Sequence, residues 1–283
     1  MIAWLGTGLL GSGFVRALLK RGEPVHVWNR SRNKAQALEA DGATVFTDPA
    51  GAVRGAARVH LCLSDDSAVD DVLELARPGF AEGVVVVDHT TTSPAGTAAR
   101  VKRWTERGVA FQHAPVFMGP PNALARTGFM LASGDEALFR RLEPELAQMT
   151  GKVLYFGPVP ERAAGMKLLG NSFLIAMLAG ISDLLALAKS LDIPSREVVA
   201  LFETFNPGAQ LPARMQRVLT GDYDHPSWNL AMARKDARLM IEAAGRANVP
   251  LHVMPVAAAE MDRWLAAGHA ADDWTIIATP VIR

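Results

Sequence analysis

Ile2-Ala3-Trp4-Leu5-Gly6-Thr7-Gly8-Leu9-Leu10-Gly11 reads as a short apolar strand running into a glycine-rich turn that opens a helix, and a second apolar run, Val25-His26-Val27-Trp28, ends in Asn29-Arg30-Ser31. Strand, turn, helix and strand in that order predict a βαβ unit with a phosphate-binding turn. Gly6 allows the tight exit from the strand, Gly8 lets the backbone approach a pyrophosphate, and Gly11 lets the helix pack closely on the sheet. The helix, expected from about Leu10 to Arg21 and closed by Gly22, aims its free N–H groups and positive dipole end at the phosphates. About twenty residues past the glycines, an Asp or Glu would hydrogen-bond the adenosine ribose and repel a phosphate on it. Neutral Asn29, the cationic fork of Arg30 and the Ser31 hydroxyl stand there instead, which suits a 2′-phosphate and points to NADP(H). The bland alternative is a glycine-rich turn in some other α/β protein, with Arg30 merely solvated.

Working outward, further apolar runs at Val59–Leu63, Val84–Asp88, Ala110–Ala114, Phe129–Ala132 and Val153–Phe156 alternate with helical segments. Such alternation predicts a mostly parallel sheet with helices on both faces. Gly157-Pro158-Val159-Pro160 then breaks the chain, and the remainder reads as helices from about Ala163 onward: a long apolar stretch to Leu191, then Ser195 to Phe205, Pro212 to Leu219, Leu230 to Arg246 and Pro255 to Ala267. The fold class is therefore α/β, with a doubly wound N-terminal domain over 1–160 and an all-helical C-terminal domain over 161–283.

Basic and acidic residues balance at 29 each, and no single-sign run suggests nucleic acid. The lone cysteine, Cys62, excludes an internal disulfide and a thiolate metal cluster, and no metal is expected. The chain starts directly on a strand, and its apolar segments of spanning length carry charge or glycine. A soluble, cytoplasmic protein with no membrane contact is the expectation.

Ligands of open α/β sheets collect at the carboxyl ends of strands, which directs attention to the loops there. Ser64-Asp65-Asp66-Ser67 follows one strand, and Asp88-His89-Thr90-Thr91-Thr92-Ser93-Pro94 follows the next. Ser93 or Thr92 suffices to cap the helix that Pro94 opens, but four hydroxyls exceed that need. His113-Ala114-Pro115-Val116-Phe117-Met118-Gly119-Pro120-Pro121 forms a rigid loop suited to shaping a substrate pocket. His113 either reaches that pocket or is satisfied by backbone carbonyls. In the helical half, Lys167 and Asn171 lie four apart on one helix face, among Met, Leu and Gly. A buried lysine has a depressed pKa suited to donating a proton near neutrality, whereas a snorkelling lysine would be ordinary. Lys235-Asp236 is either a second site pair or a solvated helix face.

These motifs, in this order, resemble the β-hydroxyacid dehydrogenase family, which includes 3-hydroxyisobutyrate dehydrogenases and glyoxylate/succinic semialdehyde reductases. The resemblance spans nearly the whole chain. It implies a Rossmann domain, a helical second domain, a homodimer or homotetramer, and a small-molecule substrate. It also implies Lys167 as the catalytic proton donor or acceptor, Asn171 as the residue orienting substrate, Thr91 touching cofactor and substrate, and Lys235 against the nicotinamide nucleotide. The expected cofactor contacts are then Gly6, Thr7, Gly8, Leu9, Leu10, Gly11, Asn29, Arg30, Ser31, Leu63, Ser64, Thr91 and Lys235. The expected substrate pocket is Pro115, Phe117, Met118, Gly119, Lys167 and Asn171.

The chain departs from the family at Phe117 and Met118, where a serine and a glycine usually hold a substrate carboxylate. An NADPH-dependent reductase of a small aldehyde or ketone is expected, taking a semialdehyde or a more apolar carbonyl. The alternatives are an imine reductase, favoured by the apolar pocket but not by the retained Lys167, and a non-catalytic NADP(H)-binding protein.

Overall fold

A computed structural model describes residues 1–281, so Ile282 and Arg283, the end of the expected second domain, lie outside the described residues. The chain divides into two compact units, Met1–Asn171 and Ser172–Arg283. The first begins with β1 (Ile2–Leu5), α1 (Leu9–Lys20), β2 (Val25–Trp28), α2 (Arg32–Gln36), β3 (Thr44–Val45), α3 (Pro49–Val53) and β4 (Arg58–Leu61). It continues through α4 (Asp66–Ala76), β5 (Val85–Asp88), α5 (Pro94–Glu106) and β6 (Ala110–His113). The six strands form one parallel sheet in the order β3-β2-β1-β4-β5-β6.

Side-chain alternation in β1 feeds both faces of this sheet. Ile2 and Trp4 pack with Phe14, Val15 and Leu18 of α1, while Ala3 and Leu5 pack with Val69 and Leu73 of α4 and Trp104 of α5. Each of these large side chains contributes roughly 1.5–3 kcal/mol by leaving water. Strand order reverses beside β1, so the loops leaving β1, β2, β4 and β5 gather on one edge, where such folds bind ligands.

The runs at Phe129–Ala132 and Val153–Phe156, expected to extend that sheet, do not join it. They lie in a second sheet, built from β7 (Val116–Phe117), α6 (Pro120–Ala125), β8 (Phe129–Ala132), α7 (Glu136–Ala147) and β9 (Lys152–Tyr155). Its order is β7-β8-β9, with β7 antiparallel to β8 and β8 parallel to β9. The physical reason is Pro115, which has no N–H to extend the ladder of β6. Ala114 makes the last bond to β5, its N–H reaching Asp88 O at 2.7 Å, and the Pro115 carbonyl then accepts from Leu131 N–H at 2.8 Å.

α8 (Arg162–Ser190) is a single helix of 29 residues. Its start is held by Ser133, whose hydroxyl donates to Pro160 O at 3.0 Å and accepts from Ala163 N–H at 2.8 Å. Ala163 and Ala164 are buried, so the first turns pack with the first unit. The division therefore falls inside α8, after Asn171, rather than at residue 160.

The rest of α8, with α9 (Ser195–Thr204), α10 (Leu211–Thr220), α11 (Leu230–Arg246) and α12 (Met254–Ala266), makes an all-helical second unit. Tyr223, Leu230, Ala233, Ala237, Ala258, Met261 and Ile276 form its core. The membrane expectation needs one correction. α8 is long and apolar enough to cross a membrane, with mean hydropathy 1.7 and 11% burial over its most apolar stretch, because Gly165, Gly170 and Gly180 do not interrupt it. Asp183 ties this helix into the second unit, its carboxylate accepting from the N–H groups of His252, Val253 and Met254 at 2.7–2.8 Å.

Candidate active site

The glycine turn is shaped by contacts that leave no room for side chains. Gly6 sits at φ +98°, and a Cβ on it would lie 2.3 Å from the Cys62 carbonyl oxygen; one on Gly11 would lie 2.1 Å from that of Gly6. Gly8 is different, with nothing within 4 Å of a built Cβ. Packing does not demand glycine there, but a side chain would project into the cavity that Gly8 lines. The turn is braced by Asn29, whose Oδ1 accepts from Thr7 N–H at 2.9 Å and whose Nδ2 donates to the Ser31 carbonyl at 2.9 Å. Asn29 is thus occupied with backbone on both sides of the crevice.

A cavity of about 690 Å³ opens over this turn. Of the expected cofactor contacts, Gly6, Gly8, Leu9, Leu10, Gly11, Asn29, Arg30, Ser31, Leu63, Ser64 and Thr91 line it. Thr7 is buried behind them, and Lys235 belongs to the second unit, on α11, where its ammonium pairs with Asp236 at 2.8 Å. Sequence reading missed Lys34, which also lines the cavity. It lies on α2, which Ser31 precedes as N-cap, so its approach to the cavity becomes visible only once that short helix is recognised. Arg30, Ser31 and Lys34 are exposed, together presenting two cations and a hydroxyl at one end of the cavity. Glycine cradle, helix N-terminus and the cations at the cavity fit a dinucleotide and its phosphates.

Three of the four hydroxyls in Thr90-Thr91-Thr92-Ser93 serve the fold. Thr90 Oγ1 accepts from Leu63 N–H at 3.0 Å, Thr92 Oγ1 lies 2.8 Å from Thr97 Oγ1, and Ser93 caps α5 by accepting from Gly96 N–H at 3.0 Å. Thr91 is exposed and lines the cavity. Asp65 caps α4 through Ala68 N–H at 2.9 Å, while Asp66 accepts from Ser93 N–H at 2.8 Å and from Arg100 at 2.9 Å. Arg100, on α5, is wholly buried and also bonds Asp70 at 2.7 Å, so it staples α5 to α4 through Asp66 and Asp70.

His113 is buried behind the threonine loop, its Nε2 within 3.0 Å of the Thr90 carbonyl and 3.2 Å of Thr92 Oγ1. Burial lowers its pKa, opposed by the charge of Asp88. Cys62 lines the cavity, and burial with the nearby Asp88 charge pushes its thiol up to about 12. A thiol held so far up is protonated at neutral pH and is no nucleophile.

Lys167 and Asn171 meet as their spacing predicts, Lys167 Nζ donating to Asn171 Oδ1 at 3.0 Å. The ammonium also stands 4.2 Å from the ring centroid of Phe117. Burial lowers the pKa of this lysine. Phe117 and Met118 are half-buried, and Pro115 is buried. Gly170 makes the contact between α8 and the Phe117 ring possible, since a Cβ there would fall 2.2 Å from ring Cζ. The cation over a ring, anchored by one amide, is equipped to pass a proton to an oxygen placed beside it.

Comparison with known proteins places this geometry in context. Residues 1–157 match the model for the NAD binding domain of 6-phosphogluconate dehydrogenase. The 3-sulfolactaldehyde reductase of Escherichia coli (strain K12) is 27% identical over 285 aligned positions, covering 98% of this chain and 94% of the relative. The cytokine-like nuclear factor N-PAC of Xenopus tropicalis is 30% identical over 268 positions and 91% of this chain, which spans 48% of that relative's length. Among solved structures, an imine reductase from Myxococcus stipitatus in complex with NADP+ superposes with TM-score 0.91 at 20% identity, covering 98% of each chain. A reductive aminase from Aspergillus terreus, in complex with NADPH, cyclohexanone and allyl amine, gives 0.90 at 22% identity over 99% of this chain and 98% of its own. At such identities the superpositions speak for the fold alone.

Proposed function

Because the chain belongs to the family built on the NAD binding domain of 6-phosphogluconate dehydrogenase, to which the β-hydroxyacid dehydrogenases are allied, we propose that it is an NADPH-dependent reductase converting a small aldehyde or ketone to the alcohol, with Lys167 as proton donor. The observation carrying this is the Lys167–Asn171 bond of 3.0 Å with its ammonium over Phe117. Bound NADPH supplies a hydride to the carbonyl carbon. As negative charge grows on the carbonyl oxygen, Lys167 Nζ gives it a proton and is left as the neutral amine. Burial favours that neutral form, and so eases the transfer. Asn171 accepts one ammonium N–H, which leaves the other two for substrate and fixes the rotamer. Thr91 offers the free hydroxyl of its loop to cofactor and substrate. Arg30, Ser31 and Lys34 hold the 2′-phosphate, which is the basis for preferring NADPH over NADH.

The same proposal takes the protein as a homodimer or homotetramer. Its support is the exposed apolar stretch of α8, where Phe173, Leu174, Ile175, Met177 and Leu178 reach solvent around the helix. Sedimentation equilibrium checks it, and a monomer at micromolar concentration overturns it.

Imine reduction is the second reading, favoured by the apolar Phe117 ring set against Lys167. NADPH and NADH consumption against semialdehydes, uncharged carbonyls and cyclic imines separates the two. Carbonyl turnover with NADPH supports the first proposal, and turnover of imines alone replaces it.

A further inference from the structure

The loop from Pro115 to Pro121 is almost stripped of the backbone donors that an anionic substrate group needs. Pro115, Pro120 and Pro121 have no N–H. The N–H of Gly119 is taken by Asn122 Oδ1 at 2.9 Å. Phe117 lies in register with Phe129, two residues on from the bond between Leu131 N–H and the Pro115 carbonyl, so its own N–H belongs to the antiparallel ladder. No more than Val116 and Met118 remain. The start of α6, which in another sequence would present amides to an anion, offers prolines instead.

Two glycines fix what fills the space. Gly170 admits the Phe117 ring against α8. Gly128, at φ +86°, would place a Cβ 2.8 Å from Met118 Cγ and 2.8 Å from the Phe117 carbonyl oxygen, so only glycine lets these two residues sit as they do. The ring face then lies under the Lys167 ammonium at 4.2 Å. A carboxylate brought here would lose its hydration to a ring and a methionine, and the cation over that ring is the lysine that must give up a proton.

We propose that Phe117, seated by Gly170 and Gly128, is the specificity-determining residue of this site, and that it selects uncharged alkyl or aryl aldehydes and ketones over carboxylate-bearing ones. This rests on the carbonyl-reductase assignment made above.

Butanal and succinic semialdehyde form a matched pair, differing in a methyl against a carboxylate. With NADPH, kcat/KM for butanal is expected to exceed that for succinic semialdehyde by at least about tenfold. In Phe117→Ser the ratio is expected to shift toward the semialdehyde by about tenfold or more, while Phe117→Leu keeps the preference for butanal. Equal or greater efficiency of the wild type with succinic semialdehyde overturns the inference and leaves the carbonyl-reductase assignment standing. Binding supplies a readout independent of turnover: saturation-transfer NMR of the NADP+-loaded protein with 1-butanol and 4-hydroxybutyrate in competition. Preferential saturation of butanol supports the selection even if neither aldehyde is reduced, a result that would instead sink the assignment. Preferential binding of the hydroxy acid overturns the selection.

Discussion

Nδ1 of His60 stands 2.9 Å from Nε2 of His89, and the groups on either side dictate where the protons lie. Arg58 Nε, which only donates, reaches His60 Nε2 at 2.8 Å, so that nitrogen accepts and Nδ1 carries the hydrogen. His60 then donates to His89 Nε2, and His89 Nδ1 donates to the Ala114 carbonyl at 2.8 Å. The chain runs from β4 across β5 to the start of the Phe117 loop. Trp4 lies nearly parallel to the His60 ring, 5.0 Å between centroids, and also stacks on His89.

Both imidazoles are neutral in this arrangement. Burial pushes His60 well below its ordinary range and takes His89 to about 4. The unfolded chain, with His near 6.5, binds more protons between those values, so stability is full above about 6.5 and falls as pH drops toward 4. For His89 the loss is on the order of 3 kcal/mol. Asp88, whose carboxyl burial pushes upward, acts in the opposite sense. Urea unfolding of the wild type and His89→Leu from pH 4 to 7 isolates the histidine, because Asp88 titrates in both. The variant is expected to be less stable and to show a flatter dependence on pH; parallel profiles would mean that His89 is not the titrating group.

Replacing Lys167 tests the proton donor. Lys167→Ala is expected to lower kcat by about 100-fold or more, with NADPH affinity within about threefold of wild type. Asn171→Ala, which frees the ammonium to rotate, is expected to cost about tenfold in kcat. Since burial lowers this lysine below its ordinary 10.5, the wild-type reduction rate falls as pH rises through that lowered pKa, and the limb disappears in Lys167→Ala. Unchanged turnover in the alanine variant would remove the lysine from the mechanism.

Much of this fold is readable from local pattern. The glycine turn, the parallel strands and the helices of the second unit follow from apolar periodicity and from glycine and proline punctuation. What periodicity misses is short or made across strands. β3 and β7 are two residues each, too brief to show alternation, and β7 lies between prolines that read as loop. The second sheet follows from Pro115 ending one ladder, which spacing alone does not reveal. The site divides the same way. Lys167 and Asn171 are neighbours because four residues make a helical turn, whereas Phe117 reaches Lys167 only through tertiary packing at Gly170. His60 lies on β4 and His89 directly follows β5, its parallel neighbour, a relationship carried by strand order rather than by either segment.

Cofactor choice separates two neighbouring residues. Arg30→Ala is expected to raise the Kd of NADPH by about 10- to 100-fold while moving that of NADH less than about threefold. Asn29→Ala, which removes the brace on Thr7 N–H and the bond to the Ser31 carbonyl, is expected to weaken both cofactors alike. Fluorescence titration of each reduced nucleotide measures all four values. Equal losses in Arg30→Ala would show that the guanidinium does not read the 2′-phosphate.

Asp183 anchors the second unit independently of any chemistry. Its carboxylate takes three backbone N–H groups at the start of α12, a segment with no side-chain cap of its own. Burial works against the ionised form, but the three donors outweigh it and hold its pKa below the usual carboxylate range. Stability from this group is therefore present above about pH 4 and is lost as pH falls through the lowered value. Asp183→Ala leaves those donors without their acceptor and is expected to cost roughly 2–5 kcal/mol. Asp183→Asn keeps one acceptor oxygen and is expected to cost less. Hydrogen exchange localises the effect: amides of His252, Val253 and Met254 should lose protection in the alanine variant, while those of β1 and β4 keep theirs. Uniform loss across both units would mean that α12 does not unfold as a separate element, and that Asp183 supports the whole chain.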